Sequence, residues 1–256
     1  MKNIFVIIPI FNEQNNLSTL FLNLTKMVKI LNEYNLKFIL VDDGSKDDSV
    51  KIANGYRNNI NLEILQHTNN LGPGAAFSLA FKYLHKILNR DDIVITIEGD
   101  NTSNLDMIPK MLNRLKEGYG VVLASPYMYG GGFSNTSFLR RFLSMGANLI
   151  VKDVLLNMRG IFSIGCFFRV YKGEVVQNLQ YVYGKRVISL NGFEGMVELL
   201  LKIMILKTTI SEIAMIVDSS KNLGKSKMKI FKTIIGYIIL FFNKFEWLNQ
   251  YKKIHR

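Results

Sequence analysis

Apolar runs alternate with longer stretches of helical periodicity through the first half of the chain. The runs predict five strands, at 4–10, 37–43, 62–67, 92–100 and 119–125, and the stretches between them predict helices near 13–31, 46–57, 74–88 and 105–116. Each run is apolar at successive positions rather than at alternate ones, which is typical of strands buried on both faces. Strands that are each followed by a helix predict an α/β fold, with a mostly parallel sheet covered by helices on both faces.

The second half of the chain is less regular. The pattern predicts helices at 136–157 and 193–206 and strands at 167–172 and 209–217. A last apolar run, TIIGYIILFF at 233–242, is about half the ~20 residues that a membrane-spanning helix needs. With Trp247 and flanking lysines, it predicts either a helix lying in a membrane interface or a buried core helix.

Composition narrows the setting of the protein. The length of 256 residues suits one large domain, and the single cysteine, Cys166, excludes an intrachain disulfide and a cysteine metal cluster. The first apolar run is too short for a signal peptide and is expected to be a strand, which favours a cytoplasmic location.

The positive charge is concentrated near the C-terminus. The formal net charge is +12, and residues 202–256 hold eleven Lys/Arg against three Asp/Glu. This imbalance favours an anionic partner such as a membrane surface or a lipid phosphate, although a solvated lysine-rich face is the simpler alternative. No nucleic-acid-binding motif accompanies the charge, so a nucleic-acid partner is not expected.

Acidic residues follow three of the predicted strands, where ligands bind in parallel sheets. Glu98 and Asp100 leave the fourth strand with Gly99 between them. Two carboxylates at this spacing can converge on a hard cation, and Mg²⁺ or Mn²⁺ carrying a diphosphate would offset their repulsion. A solvated acidic turn is the alternative interpretation.

The ends of the first two strands offer further polar contacts. Asp42 and Asp43 can accept hydrogen bonds from a nucleobase or a ribose, or they can belong to a turn that caps a helix. Phe11 offers a stacking face, and Asn12 and Glu13 offer polar contacts or a helix cap. Near the C-terminus, KNLGKSKMKIFK at 221–232 can hold phosphate through its lysines and N–H groups, or can simply begin a basic helix.

Seven segments, in order, resemble the family 2 glycosyltransferases, and most of all the polyprenyl-phosphate (dolichol-phosphate mannosyltransferase-like) branch. They are IPIFNE, VDDGS, NLGPGAA, EGDNTS, ASPYMYGGG, GFEGMVELLLK and GKSKMK, and the resemblance covers about residues 3–235. It implies a GT-A fold, a nucleotide-sugar donor linked to UDP or GDP, a divalent metal, and inversion at the sugar carbon.

The resemblance also implies roles for individual residues. It assigns nucleotide binding to Pro9, Phe11, Glu13 and Asp42, metal binding to Glu98 and Asp100, and a position near the phosphates to Lys227. Asp43 and Gly72 are further candidates for nucleotide binding, and Lys221, Lys225 and Ser226 are further candidates for phosphate binding. Close relatives have arginines that bind phosphates at three positions where this chain has Pro126, Met145 and Lys221. We expect other arginines to take over this role, namely Arg140, Arg141 and Arg169.

The expected reaction is transfer of a hexose to a polyprenyl phosphate at the cytoplasmic membrane face. An ionised phosphate acceptor needs no general base, whereas a hydroxyl acceptor on a polysaccharide or glycolipid would need one. Glu194 and Glu198 are the candidate bases, and Asp100 completes the predicted catalytic set. A sugar nucleotidyltransferase and a non-enzymatic membrane-binding module are rival functions. The expected division is a catalytic domain at 1–225 and a membrane-associating segment at 226–256.

Overall fold

The computed structural model of the protein describes residues 1–136, 145–146, 148–223 and 230–254, without the side chains of 230–232. The strands are β1 (Asn3–Ile10), β2 (Asn35–Asp42), β3 (Leu62–Gln66), β4 (Ile93–Thr96), β5 (Val121–Ser125), β6 (Gly132–Ser134), β7 (Arg169–Lys172), β8 (Ile210–Ala214) and β9 (Ile216–Asp218). The helices are α1 (Gln14–Ile30), α2 (Ser49–Asn54), α3 (Pro73–Leu84), α4 (Ile108–Lys116), α5 (Gly173–Tyr183), α6 (Glu194–Ile205) and α7 (Ile230–Ile254).

Seven strands form one sheet in the order β3-β2-β1-β4-β7-β5-β8. All neighbours are parallel except that β7 runs antiparallel to both β4 and β5. The predicted mostly parallel sheet is therefore confirmed. Its register places Asp42, at the end of β2, opposite Ile10, at the end of β1.

Both faces of the sheet are buried, as the continuous apolar runs predict. Ile4, Val6 and Ile8 of β1 pack into a core with α1 and α4, whereas Phe5 and Ile7 pack into a second core with α3, α5 and α6. Successive side chains of a strand point to opposite faces, so a strand between two helical layers needs apolar residues at every position.

Several elements differ from the sequence predictions. The fourth strand ends at Thr96 rather than at residue 100, because the chain leaves the sheet before the acidic turn. Helix α5 was not predicted, although its apolar positions follow helical spacing. The predicted helix 136–157 lies partly outside the described residues, and its described part contains a π-helical segment, Ile150–Leu155.

The C-terminal helix α7 has two apolar sides. Leu240 and Trp247 are buried in the core that α6 also enters. The opposite side exposes bulky apolar side chains, each at least 40% accessible: Ile234, Ile235, Ile238, Ile239, Phe242 and Phe245. Within the described residues, none of the helices combines the length and the apolar character needed to cross a membrane. The predicted domain boundary at 225 stays a prediction.

Candidate active site

The loops that follow β1, β2 and β4 meet at the carboxyl edge of the sheet. Asn12 accepts a hydrogen bond from Lys46 N through Oδ1, and its own N–H donates to Ser45 Oγ. The N-cap residue of α1 is Glu13 rather than the predicted Asn12, and the side chain of Asn12 ties the first loop to the second. The N–H of Glu13 likewise donates to Ser49 Oγ, at 2.8 Å. These bonds hold the predicted nucleotide-binding residues of the two loops together.

Asp42 is buried at the end of β2. Its Oδ1 accepts from Ser45 N at 3.1 Å, and its Oδ2 lies 3.5 Å from Gln66 Nε2. Pro9 and Phe11 belong to the neighbouring β1 and its loop, so the structure brings these predicted nucleotide contacts to one edge. Their contact with a nucleotide stays a prediction.

Asp43 has another role than the predicted nucleotide contact, whereas the predicted contact of Gly72 stays a prediction. The Asp43 carboxylate accepts from four donors of one loop: His67 Nδ1, Asn70 Nδ2, Leu71 N and Gly72 N, at 2.7–3.0 Å. Gly72 has a φ of 109°, and a side chain there would overlap the backbone of Asn191. Because its oxygens are occupied in this way, Asp43 fixes the loop before α3 instead of binding a nucleotide.

Glu98 and Asp100 lie where the chain leaves β4. Glu98 Oε1 accepts from Phe167 N at 2.9 Å, and Oε2 accepts from Ser103 Oγ. Burial, followed by the negative charge of Asp100, raises the pKa of Glu98. Gly99 is required between them because a Cβ would come within 2.7 Å of Pro9 O. The two carboxylates are thus held close enough to repel each other.

The donor set fits a hard divalent cation. Among the described residues, no three or more His, Cys, Asp or Glu side chains converge on one point, so a cation would take few protein ligands. Mg²⁺ and Mn²⁺ are commonly held by one or two carboxylates, with substrate phosphates and water completing the shell. Burial raises the pKa of Glu98, and the charge of Asp100 adds to that shift; such a cation would offset the repulsion between the two carboxylates.

The predicted phosphate role of Arg169 is wrong. The side chain is fully buried, and its guanidinium donates to the carbonyl oxygens of Cys166, Met196 and Ile164 at 2.7–2.9 Å. A guanidinium bound in this way cannot reach a substrate, and instead joins β7 to the preceding loop and to α6. Lys221 lies in a short 3-10 turn at Ser219–Lys221. Arg140, Arg141, Lys225, Ser226 and Lys227 lie outside the described residues.

The predicted catalytic role of Glu198 is also wrong. Its carboxylate is fully buried and accepts from Ser189 N, Ser189 Oγ and Leu190 N at 2.6–2.9 Å, and from Lys202 Nζ at 2.5 Å. A carboxylate that is shielded from solvent and pairs with a lysine cannot take a proton from an acceptor. Glu198 therefore anchors the loop before α6.

Glu194 begins α6 and lies at the junction of three elements. Its Oε1 accepts from Gly192 N at 3.1 Å, and a Cβ at Gly236 of α7 would come within 2.5 Å of its carboxyl carbon. Burial, followed by the charges of Glu194 and Tyr127, raises the pKa of Tyr237 to about 12. The role of Glu194 as a base for a hydroxyl acceptor stays a prediction.

Sequence reasoning missed two asparagines that connect these loops. Asn16, buried in the first turn of α1, donates to Glu13 Oε2 at 2.5 Å and accepts from Leu223 N at 3.1 Å. Asn222 donates to Asp100 Oδ2 at 2.8 Å across 122 positions of sequence. Asparagine beside a predicted turn gives no sequence signal for a contact at that separation.

Comparison with solved structures supports the fold. The chain superposes on Staphylococcus aureus TarS 1-349 in complex with UDP-GlcNAc with a TM-score of 0.60 at 19% identity, covering 98% of this chain and 71% of TarS. It superposes on glucosyl-3-phosphoglycerate synthase from Mycobacterium tuberculosis, in complex with Mn²⁺ and UDP, with a TM-score of 0.59 at 14% identity, covering 95% and 80%. The predicted GT-A architecture is confirmed.

Sequence comparison shows the family. The chain is 25% identical over 249 residues to a dolichol-phosphate mannosyltransferase of Pyrococcus furiosus, and 26% identical over 187 residues to an undecaprenyl-phosphate 4-deoxy-4-formamido-L-arabinose transferase of Yersinia pestis. These matches cover 97% and 72% of this chain, but only 65% and 53% of the two relatives. The sequence profile named Glycosyl transferase family 2 matches residues 5–179. The chain therefore belongs to glycosyl transferase family 2.

Proposed function

We propose that this protein is an inverting, metal-dependent glycosyltransferase that moves a hexose from a UDP- or GDP-linked sugar to a polyprenyl phosphate. The observation that carries the proposal is the Glu98–Asp100 pair. It lies at the edge of the sheet where the strands β1 and β2 also end. Family membership supports it, as do the activities for which the two relatives are named.

The donor would lie across the ends of β1 and β2. Asp42 would accept hydrogen bonds from the base or the ribose, and Phe11 and Glu13 would flank them, as the resemblance implies. The bonds between the two loops keep these residues in one arrangement before any ligand arrives, which lowers the ordering cost of binding.

The diphosphate would lie beside the acidic turn. A bound Mg²⁺ or Mn²⁺ supplies positive charge that stabilises the departing diphosphate. Asp100 would be the main protein ligand, with Glu98 beside it. Lysines from the 221–227 segment would complete the neutralisation, since charge-assisted contacts to phosphate are strong.

The two candidate functions differ in the chemical class of the acceptor. A phosphate acceptor is already ionised and needs no base, which agrees with the burial of Glu198 in an ion pair. A hydroxyl acceptor in cell-surface polysaccharide or glycolipid synthesis is the second candidate. The position of Glu194 at the start of α6 favours it, since a base could act there.

A lipid acceptor requires contact with a bilayer, and the exposed side of α7 would provide it. Leu149, Ile150 and Val154 of a second segment are also apolar and each more than half exposed. The two segments are joined where Lys244 Nζ donates to the carbonyl of Leu156. An apolar surface of this kind beside a lysine-rich C-terminus suits a peripheral position on the inner face of the membrane, against anionic lipid.

The test of the proposed function is an extraction assay. Purified protein, Mg²⁺ or Mn²⁺ and undecaprenyl phosphate are mixed with a radiolabelled UDP- or GDP-sugar, and the organic phase is counted. Label that enters the organic phase only with active protein and metal is the expected result. If no donor yields label although nucleotide sugars bind, the lipid-phosphate acceptor is refuted. Hydroxyl acceptors and Glu194→Ala are then tested.

Removing apolar side chains from α7 is expected to weaken membrane binding. The double variant Ile235→Ser/Phe242→Ser should float with anionic liposomes about tenfold or more less than the wild type, since each side chain would lose about 1 kcal/mol of apolar burial. The matched control is Leu22→Ser/Ile30→Ser, which removes two exposed apolar side chains from α1, at 56% and 57% accessibility. Equal flotation of the two double variants would contradict this surface assignment.

A further inference from the structure

The carboxylate of Asp100 has few positions left for a ligand. Oδ1 accepts from Thr102 N at 3.1 Å and from Thr102 Oγ1 at 2.5 Å, and Oδ2 accepts from Asn222 Nδ2 at 2.8 Å. An ionised carboxylate has about four lone-pair positions. Three of them are therefore occupied by donors of the chain itself, and the remaining one is on Oδ2, the oxygen that Asn222 holds.

Asn222 belongs to a strap, residues 219–223, that crosses the acidic turn. The next residue of the strap, Leu223, donates its N–H to Asn16 Oδ1 at 3.1 Å. The backbone carbonyl of Asn16 in turn accepts from Asn101 Nδ2 at 2.9 Å. The strap is thus tied both to Asp100 and to the residue after it, and it leads directly into the lysine-rich sequence at 224–229.

We propose that Asn222 is a positioning residue of the metal site and couples occupancy of that site to the order of the strap. The inference rests on the metal of the proposed function. Asn222 fixes the orientation of the Asp100 carboxylate, so that the remaining lone pair of Oδ2 points in one direction, toward the metal position. Partners of this kind change metal affinity because they orient the ligand. By thermodynamic linkage, if the Asn222–Asp100 bond increases the affinity for the metal, then bound metal stabilises the ordered strap by the same free energy.

The coupling acts on the strap itself. A cation on Asp100 would stabilise the attachment of the strap at Asn222 by the same free energy that Asn222 adds to metal binding. The neighbouring Ser220 provides an internal comparison, because its bonds run to Asp218 and Asn135 and none that the structure describes runs to Asp100.

The experiment measures metal affinity and strap order separately from activity. Binding of Mn²⁺ is followed by the loss of its free electron paramagnetic resonance signal, with UDP and with GDP present, and hydrogen exchange is followed over residues 217–223. We expect Asn222→Ala to raise the Kd for Mn²⁺ about 10- to 100-fold and to abolish the protection that Mn²⁺ gives the strap. Ser220→Ala should loosen the strap but leave the Mn²⁺ affinity within about twofold of the wild type.

Asn222→Asp distinguishes a metal-linked role from a merely structural one. Without metal, the added carboxylate repels Asp100 and the strap should exchange faster than in the wild type. With saturating Mn²⁺, that difference should disappear. Unchanged Mn²⁺ affinity in Asn222→Ala, or equal effects of Asn222→Ala and Ser220→Ala, would overturn the inference alone. Absence of nucleotide-dependent Mn²⁺ binding by the wild type would overturn the metal of the proposed function together with the inference.

Discussion

Replacing Asp100 by alanine is expected to lower the rate of glycosyl transfer by about a hundredfold to a thousandfold while the protein stays folded. The carboxylate would hold the cation that neutralises the leaving diphosphate, and losing one such electrostatic contribution typically costs a factor of about 10²–10³. Stability should change little, because Asp100 is partly exposed and its donors, Thr102 and Asn222, can turn to water.

The measurement is the extraction assay at saturating metal and donor, together with thermal unfolding of both proteins. Asp106→Ala is the matched control, since this exposed aspartate lies in the same loop, in the turn Leu105–Met107. We expect the control to keep wild-type activity. An equal loss of activity in both variants would show that the effect comes from the loop and not from the Asp100 carboxylate. An Asp100→Ala variant with wild-type activity would refute the metal-dependent mechanism.

Asp100 gives a cleaner test than Glu98. Glu98 accepts from Phe167 N and from Ser103, so its removal would also release the segment that enters β7. Loss of activity in a Glu98 variant would therefore mix ligand loss with local disorder. The two members of the motif are chemically alike in the sequence, and only their hydrogen-bond partners separate them.

The sheet could be predicted because both of its faces are buried. Apolar runs without alternation mark such strands, and a helix between successive runs requires parallel pairing. The antiparallel β7 could not be placed in this way, since its insertion depends on pairing with β4, 73–79 residues away, and with β5, 46–50 residues away. The exposed side and the buried side of α7 have the same kinds of apolar residue. The sequence alone therefore could not decide between a helix in the membrane interface and a buried core helix.

The site could be predicted in part, for a related physical reason. Acidic residues that directly follow a strand can be recognised from the local sequence. Their place at the edge of the sheet follows because the carboxyl ends of parallel strands lie at one edge, where ligands bind. Whether a charged side chain points to solvent or into the core is decided by distant neighbours, as Arg169 demonstrates. Glu198 did carry a signal: opposite charges four residues apart in the otherwise apolar ELLLK favour an ion pair on one helix face.

That ion pair leads to the second large effect: Glu198→Ala is expected to destabilise the protein by about 3–5 kcal/mol. Among the described residues, Lys202 Nζ would keep the carbonyls of Arg186 and Val187, at 2.7 and 3.2 Å, and the Tyr183 and Trp247 rings at 4.8 and 4.6 Å. The charge of Glu246 would still act on it, but without the direct hydrogen bond that Glu198 accepts. A buried cation without its anion is costly, and the N–H groups of Ser189 and Leu190 would lose their acceptor as well. The loss is a large fraction of the total unfolding free energy of a native protein, which is about 5–15 kcal/mol.

Urea unfolding followed by circular dichroism measures this loss of free energy. Glu174→Ala is the control, because Glu174 forms an exposed pair with Arg90 at 3.6 Å and should cost less than about 1 kcal/mol. Lys202→Met should cost less than Glu198→Ala, since Glu198 would keep its donors from Ser189 and Leu190. A Glu198→Ala variant as stable as Glu174→Ala would refute the anchoring role.

The pH dependence of the loss identifies its cause. Burial lowers the pKa of Lys202 below its usual value, and the charge of Glu198 opposes that shift. Without Glu198 the folded-state pKa should fall further. A lysine with a lowered folded-state pKa destabilises the protein fully below that pKa, and the penalty is relieved as the pH rises toward the unfolded-state pKa of about 10.4. The stability gap between Glu198→Ala and the wild type should therefore narrow between neutral pH and about pH 10. A gap independent of pH would attribute the loss to the unpaired N–H groups instead of the lysine.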